Sequence, residues 1–237
     1  MAARGSPIDS ERFGMCIARA ESVTSDALPQ LLDECGRAGV RMLIARCGAT
    51  DLPSLQAMER AGFLLMDAQV KYERLLDGSE SVHQTTVRPL RSGDAEEVVA
   101  IARESFGGYA GHYHADQRLP REHCNEVYPS WARRCCLGEA ADHVVVAEVD
   151  GRMAGFSAFQ RLEQAEARLQ LGAVAPWARG RRLYAKMALA GMAWCHEQGL
   201  SRMSAITQTT NFAAQHSWIR SGMVPLDVWY TFHRWFD

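Results

Sequence analysis

The dipeptide Asp150-Gly151 separates two apolar runs, residues 143–149 and 153–161. Tight hairpin turns need positive φ angles at both central residues, and Asp-Gly is one of the pairs that adopt them readily. The two runs are therefore predicted to be neighbouring antiparallel strands. A third run of alternating apolar residues, 169–173, predicts a further strand. This part of the chain is expected to form a sheet.

Helix and strand patterns alternate over the rest of the second half. The predicted elements are a strand at 87–90, a helix at 92–105, a loop at 106–142 with a helix around 128–135, a helix at 179–198, a strand at 201–206, a helix at 211–221 and a terminal strand region at 224–235. Ser92 or Asp94 could cap the first helix, and Gly199 closes the long one. The order β-α-loop-β-β-β-α-β-α-β predicts an α/β fold in which helices cover a mixed sheet.

Composition and charge exclude several classes of function. The net charge is −2, so the domain-wide excess of Lys and Arg expected of a nucleic-acid-binding protein is missing. No apolar run approaches the roughly 20 residues of a membrane helix, and the opening residues lack the apolar core of a signal peptide. The seven cysteines form no CxxC pair. Scattered cysteines indicate reduced thiols, and we expect a cytoplasmic protein.

A polar stretch at 77–86 predicts a linker between an N-terminal domain, 1–78, and a C-terminal domain, 87–237. The two domains share a repeat: after a shift of 160 residues, positions 29–76 lie over 189–236 with eight identities. We interpret this as a partial duplication; chance similarity between two α/β units is the alternative. The N-terminal copy has no counterpart of residues 176–184, so we expect it to be structural and to bind no cofactor.

The strongest local signal is the segment Leu171-Gly-Ala-Val-Ala-Pro-Trp-Ala-Arg-Gly-Arg-Arg-Leu-Tyr184. A strand leads through a short turn into a helix that opens with Arg179, Gly180, Arg181 and Arg182. Unpaired N–H groups and partial positive charge at a helix N-terminus suit a pyrophosphate. Basic residues in a first turn are unfavourable unless an anion is bound, so we favour an anion site over a solvated basic helix end.

This segment resembles the cofactor motif of the Gcn5-related N-acetyltransferases, Arg/Gln-x-x-Gly-x-Gly/Ala. Arg179 takes the first position, whereas Arg182 and Tyr184 stand where the family has Gly and then Gly or Ala. The resemblance implies a central mixed, mostly antiparallel sheet flanked by helices, a smaller partial-repeat α/β domain before it, and acetyl-CoA as cofactor. The cofactor-binding residues it implies are Ala173, Val174, Arg179, Gly180, Arg181, Arg182, Leu183, Tyr184, Asn211 and Trp218.

The whole chain resembles nucleotide-sugar N-acetyltransferases of the dTDP-4-amino-4,6-dideoxygalactose type. The shared features are the opening at 9–14, an Ala-Gly-Phe near residue 62, the loop 113–116 and the terminal Tyr-Thr-Phe-His-Arg-Trp. The resemblance implies acetylation of a dTDP-linked amino sugar in polysaccharide synthesis; a homodimer is left open. The alternatives are a different small amine, such as an amino acid, polyamine or aminoglycoside, or a non-catalytic acyl-CoA sensor.

The implied chemistry is direct attack of an amine on a thioester, polarised by a backbone N–H near Ala173 or Val174. In the resembled enzymes a tyrosine seven residues after the Asn211 position protonates the leaving thiolate. This chain has Trp218 there, and an indole cannot act as a proton-transferring acid.

Substitute acid/base candidates are Tyr184, Tyr230 and His233, with Glu163 and Glu166 more remote. We favour His233, because its pKa range suits proton removal; a packed histidine is the alternative. Strand alternation points Tyr230 and His233 to opposite faces.

The loop 106–116 is rich in glycine, aromatic residues and histidine. We predict that it binds the acceptor, with Tyr109, Tyr113 and His114 stacking on or hydrogen-bonding a sugar or base. Arg118 would either meet the diphosphate or be a surface charge. A zinc site is the alternative use of this loop, but its spacing is not a usual ligand pattern, and we expect no metal. The zinc ligands would be His112, His114 and Asp116, with His123 and Cys124 nearby.

Overall fold

The computed structural model describes residues 3–78, 86–109, 111–162 and 165–236. Its helices and strands are β1 Arg4–Gly5, α1 Pro7–Phe13, β2 Ile17–Ala20, α2 Leu28–Arg37, β3 Met42–Gly48, α3 Leu52–Arg60, β4 Leu64–Leu75, β5 Val87–Pro89, α4 Ala95–Phe106, α5 His112–Ala115, α6 Arg121–Asn125, α7 Val127–Cys136, β6 His143–Val149, β7 Arg152–Arg161, β8 Glu166–Val174, α8 Leu183–Glu197, β9 Arg202–Gln208, α9 Phe212–Arg220 and β10 Val224–Trp235. None of the described helices has the length and hydropathy needed to span a membrane.

The chain divides into two compact units. The first consists of Met1–Val70, Ala110–Cys124 and Asp227–Asp237, and the second of Lys71–Tyr109 and Asn125–Leu226. This division differs from the expected split at 78 and 87, because two later segments pack within the first unit. Most of the predicted linker, residues 79–85, lies outside the described residues.

The first unit is built on a short sheet. Strands β1 and β2 pair antiparallel, β2 and β3 pair parallel, and β10 pairs antiparallel with β3. One face of this sheet packs against α2 and α3, where Leu31, Met58 and Phe232 belong to one buried cluster. The amphipathic pattern of α2 explains this packing, since its buried residues recur on one face of the helix.

The second unit carries the predicted hairpin. Asp150 has φ 53° and Gly151 has φ 76°, so both turn residues adopt the left-handed backbone that the sequence indicated. Strands β5, β6, β7 and β8 pair antiparallel in chain order, and β8 pairs parallel with β9. The predicted α/β fold class, a mixed and mostly antiparallel sheet flanked by helices, is confirmed.

Helix α8 lies unusually close to this sheet. A Cβ atom at Gly191 would stand 2.1 Å from the Phe159 ring, and one at Gly155 would stand 2.7 Å from the Ala173 carbonyl oxygen. Only glycine therefore allows the helix and strands to approach so closely. Helix α7 covers the other face, where Cys135 packs in one cluster with Ala158.

The repeat predicted from the sequence is visible in the elements. After the shift of 160 residues, the bounds of β3, α3 and β4 coincide with those of β9, α9 and β10. Their helix caps also correspond: the Asp51 side chain accepts from Ser54 N at 3.2 Å, and that of Asn211 accepts from Ala214 N at 3.3 Å. The duplication itself stays an interpretation.

One predicted boundary is wrong, and one region contains more helices than expected. The helix expected over 179–198 begins only at Leu183, because Gly180 and Arg182 adopt left-handed φ angles of 81° and 59°. A 3₁₀ turn at Pro176–Ala178 precedes this loop. The region 106–142 holds α5 and α6 in addition to the expected helix, which is α7.

Candidate active site

The parallel strands β8 and β9 separate towards their carboxyl ends. Their pairing runs from Glu166↔Arg202 to Leu169↔Ala205, whereas β8 continues to Val174 and β9 to Gln208. No further pairing of these two strands follows in the described part of the chain. On its other side β8 pairs Leu171 with Ala158 and Leu169 with Phe159, which leaves Gln170 as a bulge residue. A bulge bends its strand, and this bend accompanies the opening of a gap.

Backbone donors of β8 face this gap. Ala175 N donates to Ala154 O of β7 at 2.8 Å. Because N–H groups alternate along an antiparallel pair, that of Ala173 also points to β7, while those of Val174 and Gly172 point away from it. The Val174 carbonyl, on the same side as its N–H, accepts from Ser105 Oγ at 3.4 Å. Of the two residues proposed to polarise a thioester, Val174 therefore has the available N–H.

The loop that follows β8 is basic and leads into an uncapped helix. Arg182 occupies the N-cap of the 15-residue helix α8, no side chain caps it, and the first turn has no acidic residue. Arg179, Arg181 and Arg182 are exposed. Neither an ion pair nor a side-chain hydrogen bond is found for them among the residues described here. Free N–H groups beside three guanidinium groups fit an anionic phosphate.

A group of aromatic side chains lies next to β8 at Gly172. A Cβ atom at Gly172 would meet Tyr184 Cε2 at 2.9 Å and Ser157 Oγ at 2.8 Å, so the Tyr184 ring lies against bare backbone. Trp218, only 1% exposed, packs between Tyr184 and Tyr72 with ring centroids 6.4 and 5.6 Å away. We call these four side chains, Tyr72, Ser157, Tyr184 and Trp218, the Trp218 cluster.

One hydrogen-bonding group in the Trp218 cluster lacks a partner. Ser157 Oγ is buried and bonds to no residue within the described ranges, whereas the Trp218 indole hydrogen-bonds to the Tyr184 hydroxyl. A buried polar group left unpaired costs about 1–3 kcal/mol. Such groups are uncommon in folded proteins unless a ligand or water completes them. The residues around the gap thus fit a ligand that extends from the basic loop along β8.

The chemistry of Tyr184 differs from that of an acid. Burial raises the pKa of the Tyr184 hydroxyl well above its usual range, and the neighbouring Trp218 indole only partly opposes the rise. A phenol with such a high pKa stays protonated and loses its proton less readily than a thiol does. This favours Tyr184 as a hydrogen-bond donor over the predicted role as acid or base.

Two further predicted residues lie at the carboxyl end of β9. The Tyr109 hydroxyl donates to Gln208 Oε1, and its ring packs edge-on against Phe106 and Tyr128. Asn211 caps α9 and donates from Nδ2 to Thr207 Oγ1 at 2.9 Å. Tyr109 is thereby fixed to the end of the strand that borders the gap. The predicted contacts of Tyr109 with an acceptor and of Asn211 with the cofactor stay predictions.

His233, the favoured proton acceptor, lies in the first unit and has no exposed surface. Its Nδ1 is 2.7 Å from Asp116 Oδ2 and its Nε2 is 3.0 Å from His112 Nδ1. Trp235 Nε1 donates to the same Asp116 oxygen at 2.9 Å. Because both ring nitrogens are engaged, the geometry argues against proton exchange with a substrate.

Burial affects the pKa values of Asp116 and His112, the two residues that contact His233. Burial raises the pKa of Asp116, but hydrogen bonds from His233, the Arg118 backbone and Trp235 outweigh it, and the net pKa is lowered. Burial and the neighbouring His233 hold the pKa of His112 well below its usual range. Asp116 is therefore ionised and His112 neutral at neutral pH.

The remaining candidate acids and bases, Tyr230, Glu166 and Glu163, lie in three different places. Tyr230 packs with Phe232 on the helix-covered face of the first unit, so the prediction that positions 230 and 233 face opposite sides is confirmed. Glu166 lies where β8 and β9 still pair; it accepts from Ser204 and forms an ion pair with Lys71 at 3.4 Å. Glu163 lies outside the described residues.

Most of the predicted acceptor loop is held inside the first unit. The Tyr113 hydroxyl donates to Asp9 Oδ1 at 2.8 Å and accepts from Arg19, and its ring stacks on Phe13. These contacts fix Tyr113 against Asp9 and Phe13 within the first unit, and its predicted contact with an acceptor stays a prediction.

The polar neighbours of Tyr113 are also engaged within this unit. His114 is buried, and its carbonyl accepts from Arg121 Nη1 at 2.9 Å. The Arg118 guanidinium stands 4.1 Å over the Trp235 ring. Within the described part of the chain, no group of three or more His, Cys, Asp or Glu side chains is placed to hold a metal ion.

Three residues of the candidate site escaped the sequence reasoning: Tyr72, Ser157 and Gly172. Gly172 carried a usable signal, because a glycine inside a strand often marks a close backbone approach. Ser157 and Tyr72 carried none, since each reads as an ordinary strand residue until the fold brings it to Trp218 or Gly172.

A family model described as "Acetyltransferase (GNAT) family" matches residues 97–223, more than half of the 237-residue chain. The chain therefore belongs to the GNAT family of acetyltransferases, enzymes that use acetyl-CoA. Comparison with curated protein sequences gives no match.

Solved structures show the same fold at low sequence identity. A GCN5-related N-acetyltransferase from Kribbella flavida has a TM-score of 0.62 and 13% identity, covering 92% of this chain and 80% of its own. One from Sphaerobacter thermophilus has a TM-score of 0.61 and 13% identity, covering 89% and 68%. A tandem GNAT protein from the clavulanic acid biosynthesis pathway has a TM-score of 0.58 and 15% identity, covering 89% and 69%.

The first unit lacks the gap that its repeat partner has. Strands β2 and β3 pair from Ile17↔Met42 to Ala20↔Ala45, and Val23 N then donates to Arg46 O at 2.8 Å. The equivalent of Arg46 on β9 is Ile206, beyond the last paired residue of that strand. The segment around Val23 therefore occupies the edge of β3 that corresponds to the unpaired edge of β9 in the second unit. The loop before α2 also carries Asp26 in place of arginines.

We accordingly expect one CoA molecule to bind per chain. Among the described residues of the first unit, the strand edge that corresponds to the gap is occupied and the loop before α2 has no arginine, so we expect it to hold neither a pantetheine arm nor a pyrophosphate. Isothermal calorimetry with CoA should give a stoichiometry near one. A second binding event that survives charge reversal of Arg179, Arg181 and Arg182 would contradict this expectation.

Proposed function

We propose that this chain is an N-acetyltransferase that transfers the acetyl group of acetyl-CoA to the amino group of a dTDP-linked amino-deoxysugar. The observation that carries the cofactor part is the open edge of β8 leading into the basic, uncapped N-terminus of α8. The nucleotide-sugar part rests on the resemblance over the whole chain, including residues 9–14 and the terminal strand.

Each residue of the gap has a distinct task in this proposal. The α8 N–H groups, with Arg179, Arg181 and Arg182, hold the pyrophosphate. The Val174 N–H donates to the carbonyl oxygen on which negative charge develops. Gly172 leaves room for the ligand and for the Tyr184 ring. Bound acetyl-CoA supplies a thioester carbon open to attack by an amine. Holding the amine next to that carbon provides much of the remaining acceleration.

Proton transfer is left to solvent in this arrangement. The amine must lose one proton before or after it attacks, and the sulfur gains one after the C–S bond breaks. Tyr184 has a raised pKa and Trp218 has no ionisable proton at neutral pH, so neither delivers that proton to the sulfur. A thiol with a pKa near 8.5 leaves readily enough without an acid.

The test measures thiol release from acetyl-CoA with a panel of amines. We expect kcat/KM for a dTDP-linked amino sugar to exceed that for the free amino sugar by at least tenfold. The nucleotide and diphosphate add binding energy that a free sugar lacks. Equal activity on amino acids, polyamines or aminoglycosides would favour the broader amine acetyltransferase. CoA binding without thiol release for any amine would favour a non-catalytic sensor.

A further inference from the structure

We propose that Arg46 and Thr231 form a binding site for a phosphoryl group in the first unit. Neither residue belongs to the gap of the second unit or to the hydrogen bonds around His233. The site goes beyond the proposed function, because it needs neither CoA nor acetyl transfer. Its ligand class is the phosphoryl group, either as free phosphate or as part of a nucleotide.

Arg46 and Thr231 are neighbours on one face of a sheet. Arg46 of β3 lies directly opposite Thr231 of β10 in the antiparallel pair. Residues opposite each other point their side chains to the same face, with Cβ atoms about 4.5–5.5 Å apart. Because Ala45 and Phe232 face the core under α2 and α3, strand alternation sends Arg46 and Thr231 to the other face. The two side chains are therefore placed to contact one ligand.

The Arg46 guanidinium uses one of its N–H groups and leaves one edge without partners. Its Nη1 donates to Glu21 Oε1 at 3.1 Å, and the Glu21 side chain is 60% exposed. Its Nε is buried, and in the described part of the chain neither Nε nor Nη2 has an acceptor. An ion pair with so exposed a partner contributes little to stability. It does not explain why the other edge is withdrawn from water.

Arg19, on the neighbouring strand β2, shows how such an edge is filled. It lies on the same face as Arg46, since Ala18 and Ala20 belong to the core cluster on the opposite face. Its Nε and Nη2 donate to Asp9 Oδ2 at 2.9 and 2.7 Å. Among the described residues, no carboxylate takes the equivalent place beside Arg46. An anion that arrives with a ligand would complete this edge by a bidentate contact.

Thr231 supplies the third donor of the site. It has no exposed surface, and its Oγ1 bonds to no residue within the described ranges. A buried hydroxyl without a partner is uncommon unless water or a ligand completes it. The two N–H groups of the Arg46 edge and the Thr231 hydroxyl match the three oxygens of a terminal phosphoryl group, whereas a carboxylate has only two. A phosphoryl group is therefore the ligand that engages all three donors.

Calorimetry with two probes, dTDP and inorganic phosphate, tests the site. The full-length wild type is compared with Arg46→Met, which keeps most of the side-chain length and removes the guanidinium. We expect Arg46→Met to bind the probes roughly tenfold more weakly, because hydrogen bonds between charged groups contribute that much or more. Without a probe, urea unfolding should show a stability close to that of the wild type, since the lost edge has no partner in the free protein.

Three further variants separate the donors from one another and from net charge. Thr231→Val keeps the shape of the side chain and should weaken binding about three- to tenfold, because it removes one neutral donor. Arg46→Lys keeps the charge but cannot make a bidentate contact, so it should restore only part of the affinity. Arg60→Met is the matched control, because Arg60 is exposed on α3 and its loss changes the net charge equally. It should bind both probes as the wild type does.

Wild-type protein that binds neither dTDP nor inorganic phosphate would overturn the site. Arg46→Met and Thr231→Val variants that bind as tightly as the wild type would overturn it as well. If the site holds, tighter binding of dTDP than of phosphate identifies a nucleotide as the source of the phosphoryl group, and equal binding identifies free phosphate. None of these titrations measures thiol release, so the site and the proposed function can fail independently.

Discussion

Val174→Pro is expected to lower kcat for acetyl transfer by about 10²–10³-fold, the usual cost of removing one donor to a developing oxyanion. Proline has no N–H, and at this position the lost donor is the one that points into the gap. The fold should survive, since proline is tolerated in a strand where its N–H is not part of the ladder. Thiol-release kinetics on protein with an unchanged thermal transition would measure the effect.

Two neighbouring substitutions serve as controls. Val174→Ala keeps the backbone N–H and should retain near-normal kcat, which separates the donor from the side chain. Ala173→Pro removes an N–H that points to β7, as Ala175 N does in its bond to Ala154 O, and should disrupt the sheet. Val174→Pro with near-normal kcat would show that another group polarises the thioester.

Strands and turns that are marked by nearby residues were predictable from the sequence. The strands over 143–149 and 224–235 have the predicted bounds, because apolar patterns and turn residues mark both ends. The Asp150-Gly151 turn was equally predictable, since the conformations it needs are properties of those two residues. Short helices such as α5 carry too few residues for any periodicity to appear.

The start of α8 was harder to predict, because Arg182 takes a left-handed conformation that arginine rarely adopts. No local pattern announces such a residue. The basic helix start on which the anion-site prediction rests was recognisable from the sequence, because its residues lie within a few positions. The gap beside it was not, since it depends on where the pairing of β8 and β9 stops.

The contacts of His233 could not be predicted from its chemistry. Its usual pKa suits a base, but its neighbour Asp116 is 117 positions away in the sequence and His112 is 121 away. Contacts at such separations leave no mark on the local pattern. Burial and partners, which only the fold supplies, decide whether a histidine exchanges protons or holds a core together.

Asp116→Ala is expected to lower the free energy of unfolding by about 3–5 kcal/mol, the usual cost of removing one partner from a buried charged contact. Asp116 accepts hydrogen bonds from His233, from Trp235 and from the Arg118 backbone N–H at 2.7, 2.9 and 2.9 Å. Alanine leaves all three donors unpaired in or near the core of the first unit. Equilibrium unfolding in urea would measure the change.

Asp116→Asn is the matched control, because its amide keeps one acceptor oxygen and nearly the same shape. It should cost less than Asp116→Ala. If the contacts among Asp116, His233 and His112 are structural, His233→Asn should also lower stability, with kcat per folded molecule close to that of the wild type. A His233→Asn variant with unchanged stability and a tenfold lower kcat would instead restore the catalytic prediction for His233. The structural and the catalytic hypotheses for His233 therefore predict different effects of the same substitution. Loss of a core contact lowers the free energy of unfolding, whereas loss of a catalytic base lowers kcat.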